Sequence, residues 1–160
     1  MAQTLKTRIF RYWFPVAIWV GLIFQFSTDV FHGDSEGLTD RLVQAVLLFF
    51  LPDLSPQTIA LVHDGIRKLA HMFEYGILTL LLYRAFRQDS LQTRYARWAL
   101  LSLLVTLGIA GLDEFHQSFT LKRFGLMTDV GFDGLGALIA LVMMWRRYRD
   151  HKRQLQSPDR

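Results

Sequence analysis

The chain has 160 residues, of which 51% are apolar and 20% are charged, and its mean hydropathy is only +0.21. This length fits one domain, and the apolar content excludes a disordered protein. The absence of cysteine excludes a disulfide scaffold, a Cys-ligated zinc site and thiol catalysis. A net charge of +4 and a pI near 9.7 indicate an anionic partner, either nucleic acid or a membrane surface.

The pattern of uncharged windows predicts an all-α, polytopic membrane protein with four transmembrane helices. No window reaches the roughly 18 apolar residues that define a span by themselves, so a compact soluble helical protein is the alternative. However, the windows are rich in Leu, Ile, Val and Phe on every side, unlike a soluble surface helix, and basic or aromatic residues flank them, as at a headgroup region. The predicted spans cover about residues 10–27, 67–86, 97–116 and 129–146.

The segments around these spans complete the predicted organisation. The first span resembles a signal peptide, but no small-residue cleavage site follows Phe26, so we predict an uncleaved anchor. The stretch 42–51 is too short to cross a bilayer and should lie along the interface or pack on the other helices. Ser55 is a predicted N-cap, with Pro56 opening a helix that continues into the second span near Gly65. Residues 1–149 are expected to form one transmembrane domain, and residues 150–160 a polar, unstructured cytoplasmic tail.

The placement of the cations predicts the orientation. Alternate crossing puts 13 of the 18 Lys and Arg residues at one side, which the positive-inside rule assigns to the cytoplasm. The chain is therefore expected in the bacterial inner membrane with both termini inside. Its bilayer partner explains the basic pI, and no nucleic-acid-reading motif is present. The 13 residues are Lys6, Arg8, Arg11, Arg84, Arg87, Arg94, Arg97, Arg146, Arg147, Arg149, Lys152, Arg153 and Arg160.

Ionisable residues gather at the opposite ends of three predicted spans. In the second span, Lys68, His71 and Tyr75 share a helical face through their three- and four-residue spacing. Such residues are costly at membrane depth and usually face a bundle interior or a wet cavity. We therefore predict one polar site open to the outer leaflet. Small residues that should let the helices approach it closely are Gly108, Gly111, Gly134, Gly136 and Ala140.

These residue types support acid/base, metal or anion chemistry. Histidine beside a carboxylate can move protons, and the candidate catalytic residues are His71, Glu74, Asp113, Glu114 and His116. Imidazole and carboxylate groups also suit a divalent metal, with His71, Glu74, Asp113 and His116 as candidate ligands. Cations such as Lys122 can hold a phosphate or carboxylate. The candidate substrate-binding residues are Lys68, Tyr75, Gln117, Arg123, Asp129 and Asp133.

Each residue also has a structural interpretation, so a purely structural ion-pair network is a second hypothesis. Lys68 can be a cation that reaches the interface, and His71 an interfacial histidine. Glu74 can pair with Lys68 or Arg67, Asp129 can favour a helix start, and Tyr75 can belong to an aromatic belt. Catalysis by a Ser/His/Asp triad is poorly supported, because Ser118 lacks a nucleophile-elbow context.

Two motifs carry a resemblance to a known family. The block Asp113-Glu114-Phe115-His116-Gln117, followed by Arg123, Asp129 and Asp133-Gly134-Leu135-Gly136, resembles the VanZ-like family of small bacterial membrane proteins. The segment from Lys68 and His71 to Tyr75 is similar to its second signature. Two departures stand out, since the family often has Pro-Gly at Leu121-Lys122 and often Asn at position 133. The family's namesake is associated with resistance to teicoplanin, a glycopeptide antibiotic.

The resemblance and the residues together imply a site for an anionic envelope molecule, such as a lipid-linked phosphate or a cell-wall precursor. Arg123 and Lys68 would hold the anionic group, and the histidines and carboxylates would do acid/base or metal work. Three functions stay open at this point. The chain is an enzyme, a carrier for a lipid headgroup, or a scaffold whose ion pairs lock the helices.

Overall fold

A computed structural model describes residues 2–26, 38–51, 53–88, 95–118 and 127–156, and every regular element in these ranges is an α-helix. The all-α prediction is thereby confirmed. Two stretches, Tyr95–His116 and Thr128–Asp150, are long and apolar enough to cross a membrane, and they match the third and fourth predicted spans. The helices are α1 (Ala2–Phe26), α2 (Leu38–Phe50), α3 (Pro56–Arg87), α4 (Tyr95–Gln117) and α5 (Met127–Gln156).

Helix α3 begins where the sequence predicts and runs without a break through Gly65. Ser55 is its N-cap, since the Ser55 hydroxyl accepts a hydrogen bond from the Thr58 backbone N–H at 3.3 Å. Pro56 stands at the first helical position, where its missing N–H costs nothing. The helix predicted to begin at Ser55 and the second predicted span are therefore one 32-residue helix.

The prediction of an unstructured tail from residue 150 was wrong. Helix α5 continues to Gln156. The tail sequence after Asp150 is rich in Lys, Arg, Gln and Leu, which are good helix formers, and its first proline is Pro158. Polarity alone therefore did not end the helix, because nothing in residues 150–156 breaks it.

Helix α3 is the centre of the fold and contacts each of the other four helices. Its interface with α5 is the most extensive, followed by those with α4 and α1, whereas α2 touches it lightly. The main apolar core is formed where α1 and α4 pack on α3, and it contains Tyr12, Val16, Ile23, Leu78, Leu82, Ala85 and Ala110. Trp19 of α1 also donates its indole N–H to the backbone oxygen of Glu74 at 2.9 Å.

Helices α3 and α5 touch through their backbones at one point. A Cβ added to Gly136 would overlap the carbonyl oxygen of Met72 and stand 2.8 Å from the Met72 Cα. A Cβ on Gly76 would lie 3.3 Å from the Gly136 oxygen. The predicted close approach at Gly136 is confirmed, and it is made within the chain. The prediction for α4 was wrong, since a Cβ on Gly108 or Gly111 would meet no atom within 4 Å in the part of the chain that the structure describes.

Helix α4 packs through a stripe of small and hydroxylated residues. Ala99, Ser102, Thr106 and Ala110 recur every three or four positions, and all four are buried. The Thr106 hydroxyl lies 2.9 Å from the Thr79 hydroxyl of α3, within hydrogen-bonding distance. Small residues and interhelical hydroxyl bonds of this kind stabilise helix packing in membranes. The stripe continues one turn further to Asp113 and so turns this carboxylate toward α3.

Candidate functional site: a buried carboxylate–histidine cluster

The site is built on one face of α3. Ionisable and aromatic side chains follow each other there at three- or four-residue spacing, which keeps them on one side of a helix. Toward the other end of α3 the same face continues as Leu78 and Leu82, both buried. The polar half of the face is buried at His71 and Tyr75 and becomes partly exposed toward Asp64 and Lys68. Its members are Asp64, Arg67, Lys68, His71 and Tyr75.

Two contacts join this face to the first turns of α5. The Nδ1 atom of His71 lies 3.7 Å from Oδ1 of Asp133. One turn earlier, an Arg67 guanidinium nitrogen donates to Oδ2 of Asp129 at 3.4 Å. Asp133 is only 1% exposed and Asp129 is 9% exposed. The crossing at Gly136 holds the two helices close enough for both contacts.

A third contact joins α3 to α4. The Tyr75 hydroxyl donates to Oδ2 of Asp113 at 3.2 Å, and both side chains are almost completely buried. The rings of His71 and Tyr75 are nearly parallel, with centroids 6.3 Å apart. The α5 contact of His71 and the α4 contact of Tyr75 are thus one helical turn apart.

Two glutamates complete the arrangement, and we call the whole set the polar cluster. Glu114 is buried and Glu74 half-buried. Asp113, Glu114, Asp129 and Glu74 all lie within electrostatic range of Asp133. The polar cluster comprises Arg67, His71, Glu74, Tyr75, Asp113, Glu114, Asp129 and Asp133.

The polar cluster has a charged rim at Asp64. This carboxylate accepts from Lys68 Nζ at 2.7 Å and from an Arg67 nitrogen at 2.8 Å. The hydrogen bonds from Lys68 and Arg67 hold the pKa of Asp64 below its ordinary value. The Lys68 ammonium also stands 5.3 Å from the centre of the Phe132 ring of α5. Lys68 is the most exposed cation next to the polar cluster among the described residues, with a third of its side chain accessible.

Two buried carboxylate oxygens in the polar cluster accept no hydrogen bond from the described part of the chain. They are Oδ1 of Asp129 and Oδ1 of Asp133. Buried polar atoms are nearly always satisfied by protein or by ordered water. Oδ1 of Asp133 is the oxygen that faces Nδ1 of His71.

Sequence comparison identifies the family of the chain that carries this site. The sequence profile of the VanZ/LLP1 family matches residues 12–148. The chain belongs to the VanZ/LLP1 family. The matched region contains every member of the polar cluster, together with the core between α1, α3 and α4. No curated protein and no solved structure shows significant similarity to the chain.

Of the predicted site residues of this VanZ/LLP1 protein, one lies away from the polar cluster, and three fall wholly or partly outside the described part of the chain. His116 is exposed, and its ring contacts Phe24 of α1 with centroids 6.2 Å apart. Gln117 is the last residue of α4, and its side chain lies outside the described part. Arg123, like Lys122, lies outside the described residues. Asp129 and Tyr75, which are predicted to contact substrate, lie in the polar cluster, where they contact Arg67 and Asp113 respectively.

The metal hypothesis gains no support from the described residues. Within them, no three His, Asp or Glu side chains are arranged to hold a metal ion. Of the candidate ligands, His71, Glu74 and Asp113 lie in the polar cluster, whereas His116 points to α1 instead.

Sequence reasoning missed three contributors to the VanZ/LLP1 site. Asp64 was not singled out, although it stands three residues before Arg67 and four before Lys68, the spacing of helical ion pairs. Thr79 and Thr106 were missed because a single hydroxyl residue within a long apolar stretch does not stand out from the apolar residues around it. The three- and four-residue recurrence of small residues along α4 is the signal that could have found Thr106.

Proposed function

We propose that this VanZ/LLP1 chain crosses the bacterial cytoplasmic membrane four times, through α1, α3, α4 and α5, with both termini in the cytoplasm. Helices α1 and α3 are not identified as membrane-spanning by length and composition, but both expose apolar side chains, which supports a crossing by each. Such extended apolar surface suits lipid contact. The cation distribution supports the orientation. The exposed residues include Phe10, Phe14, Ile18, Leu22, Leu69, Phe73 and Leu80.

We further propose that the polar cluster is an acid/base site that acts on an anionic molecule of the cell envelope. The observation that carries this proposal is the His71–Asp133 pair, 3.7 Å apart and buried between two helices. A carboxylate beside one imidazole nitrogen orients the ring and stabilises its protonated form. Because Nδ1 faces Asp133, proton transfer to a bound molecule would pass through Nε2.

Lys68 is the proposed holder of the anionic group. It lies one turn from His71 on the same face of α3, and it is partly exposed. An incoming phosphate or carboxylate would compete with Asp64 for its ammonium, since charge-assisted hydrogen bonds to either acceptor are of similar kind. Arg123, which the sequence places in the connection between α4 and α5, is the proposed second cation. The substrate class is a lipid-linked phosphate or a cell-wall precursor.

One observation favours the structural alternative, in which the polar cluster only locks the helices. Each of its three contacts joins two helices: Arg67 with Asp129, His71 with Asp133, and Tyr75 with Asp113. Against this, the described part of the polar cluster contains five carboxylates and one guanidinium. A network that served only as a lock would be expected to balance its charges, because removing an unpaired charge from water is costly.

The test is conversion of defined lipid phosphates by the purified full-length protein in detergent, followed by mass spectrometry. Alkyl phosphate, phosphatidic acid and polyprenyl diphosphate serve as probes. Wild type is expected to convert at least one of them, and His71→Gln is expected to lower the rate by about 100-fold or more, the contribution of a general acid/base group. His63→Gln is the control, since His63 lies on α3 outside the polar cluster.

The outcomes separate the three functions. The acid/base proposal requires that His71→Gln loses conversion while its unfolding midpoint stays close to that of His63→Gln. Binding of a probe without conversion, lost in Lys68→Gln but kept in His71→Gln, would establish a carrier instead. If wild type neither binds nor converts any probe, and His71→Gln has a lowered unfolding midpoint, the polar cluster serves only to lock the helices. If the substrate is a cell-wall precursor, expression of the chain is also expected to reduce teicoplanin susceptibility, and His71→Gln should abolish that effect.

A further inference from the structure

A long apolar groove runs along the outer surface between α3 and α5, away from the polar cluster's contacts. Its volume is about 620 Å³, within the roughly 300–1,000 Å³ of ligand pockets. Gly76, Gly136 and Ala140 line it where the two helices cross. Larger apolar side chains form its walls, among them Phe73, Leu80 and Met143, and these are exposed.

One end of the groove carries a cation. Arg147 is the only charged residue among its lining residues, and no acidic side chain in the described part of the chain pairs with it. It lies at the arginine-rich end of the helices, with Arg84 and Arg87 of α3 near the same end. The groove therefore has an apolar body and a cationic end, the chemical complement of an anionic lipid.

The distance from the helix crossing to the cationic end of the groove agrees with one lipid leaflet. From Gly136 to Arg147 along α5 the rise is about 16 Å at 1.5 Å per residue. A leaflet contributes half of the roughly 30 Å hydrocarbon core of a bilayer. An acyl chain that lies along the groove would thus have its headgroup at the level of Arg147.

We propose that this groove binds one acyl chain of an anionic phospholipid, with the lipid phosphate on Arg147. The small residues at the crossing of α3 and α5 serve two purposes in this assignment. They let the helices touch, and they leave the depression that the chain occupies. The site is separate from the polar cluster, and under the proposed topology it takes its lipid from the cytoplasmic leaflet.

The experiment is native mass spectrometry of the full-length protein, titrated with phosphatidylglycerol or with phosphatidylethanolamine of the same acyl chains. Arg147→Gln is expected to weaken phosphatidylglycerol binding about five-fold, the effect of one cation near the surface, and to weaken phosphatidylethanolamine binding less, because the ammonium of that lipid offsets the charge of its phosphate. Arg146→Gln is the matched control, because Arg146 is its exposed neighbour and does not line the groove. Equal effects of the two variants would overturn the assignment of the phosphate to Arg147.

A second pair of variants tests the groove itself. Met143→Trp fills it, whereas Val142→Trp places the same ring on the exposed neighbouring position outside it. Only Met143→Trp should weaken the binding of both lipids, with both variants unfolding at similar midpoints. Equal binding by the two variants would overturn the proposal. A dimer peak of wild type that disappears in Met143→Trp would also overturn it, because a second copy would then fill the groove. None of these variants alters the polar cluster, so failure here is distinct from failure of the acid/base proposal.

Discussion

The contact between α3 and α5 at Gly136 makes a sharp prediction about stability. In Gly136→Ala, the new Cβ would overlap the Met72 carbonyl and lie below 3.0 Å from the Met72 Cα. The obstacle is backbone, so no side chain can rotate to relieve it and the two helices must separate. Overpacking typically costs about 1–3 kcal/mol, and a backbone clash belongs at the upper end. Alanine returns about 1 kcal/mol of helix propensity. The free energy of unfolding should therefore fall by about 2 kcal/mol.

Gly131→Ala is the matched control for this change. Gly131 lies on the same helix, and a Cβ there would meet no atom of the described residues within 4 Å. Only the propensity gain applies, so this variant should be more stable than wild type by up to about 1 kcal/mol. The assay is unfolding by SDS titration in mild detergent, followed by circular dichroism. The close-contact reasoning is refuted if Gly136→Ala unfolds at the same SDS fraction as Gly131→Ala.

Three further predictions use the same unfolding assay. Tyr75→Phe removes the donor to the buried Asp113 carboxylate and should lower the free energy of unfolding by about 1–3 kcal/mol; no loss would show that this contact is not formed. Thr79→Val and Thr106→Val should each destabilise, and the double variant should lose less than the sum, because the two hydroxyls bond each other; strict additivity would contradict that bond. The pKa of Asp64 is lowered from 3.8 in the folded state, so its stabilising effect is present above pH 3.8 and is lost as the pH falls through the lowered value. Asp64→Asn should accordingly show a shallower loss of stability over that acid range than wild type, and parallel pH profiles would argue against the ion pairs.

Much of the fold could be predicted because its signals are local. The Ser55 cap and the continuous α3 follow from neighbouring residues, and so does the shared face of His71 and Tyr75. The spacing of residues along one helix does not predict which neighbouring helix each side chain contacts. Asp113 and His116 are three residues apart, yet Asp113 faces α3 and His116 lies against Phe24 of α1. The rotation of α4 that separates them is set by its packing stripe.

The same reasoning explains the glycines. Gly136 and Gly108 look alike in sequence, since each lies in an apolar window with small residues nearby. A Cβ on Gly136 would meet the backbone of α3, whereas one on Gly108 would meet no described atom within 4 Å, because only Gly136 stands at a helix crossing. Gly76, its partner in that crossing, is flanked by Tyr75 and Ile77 and carried no packing signal of its own. The crossing point depends on all of the interfaces of α3 together.

The central claim is that His71 and Asp133 act as one acid/base unit on an anionic envelope molecule. The most direct measurement is a double-mutant cycle on the rate of lipid-phosphate conversion, with His71→Gln, Asp133→Asn and the double variant. Residues that act as a unit are not additive, so the double variant should be about as slow as His71→Gln alone. The claim is contradicted if the two effects multiply, or if all three variants convert the probe at the wild-type rate.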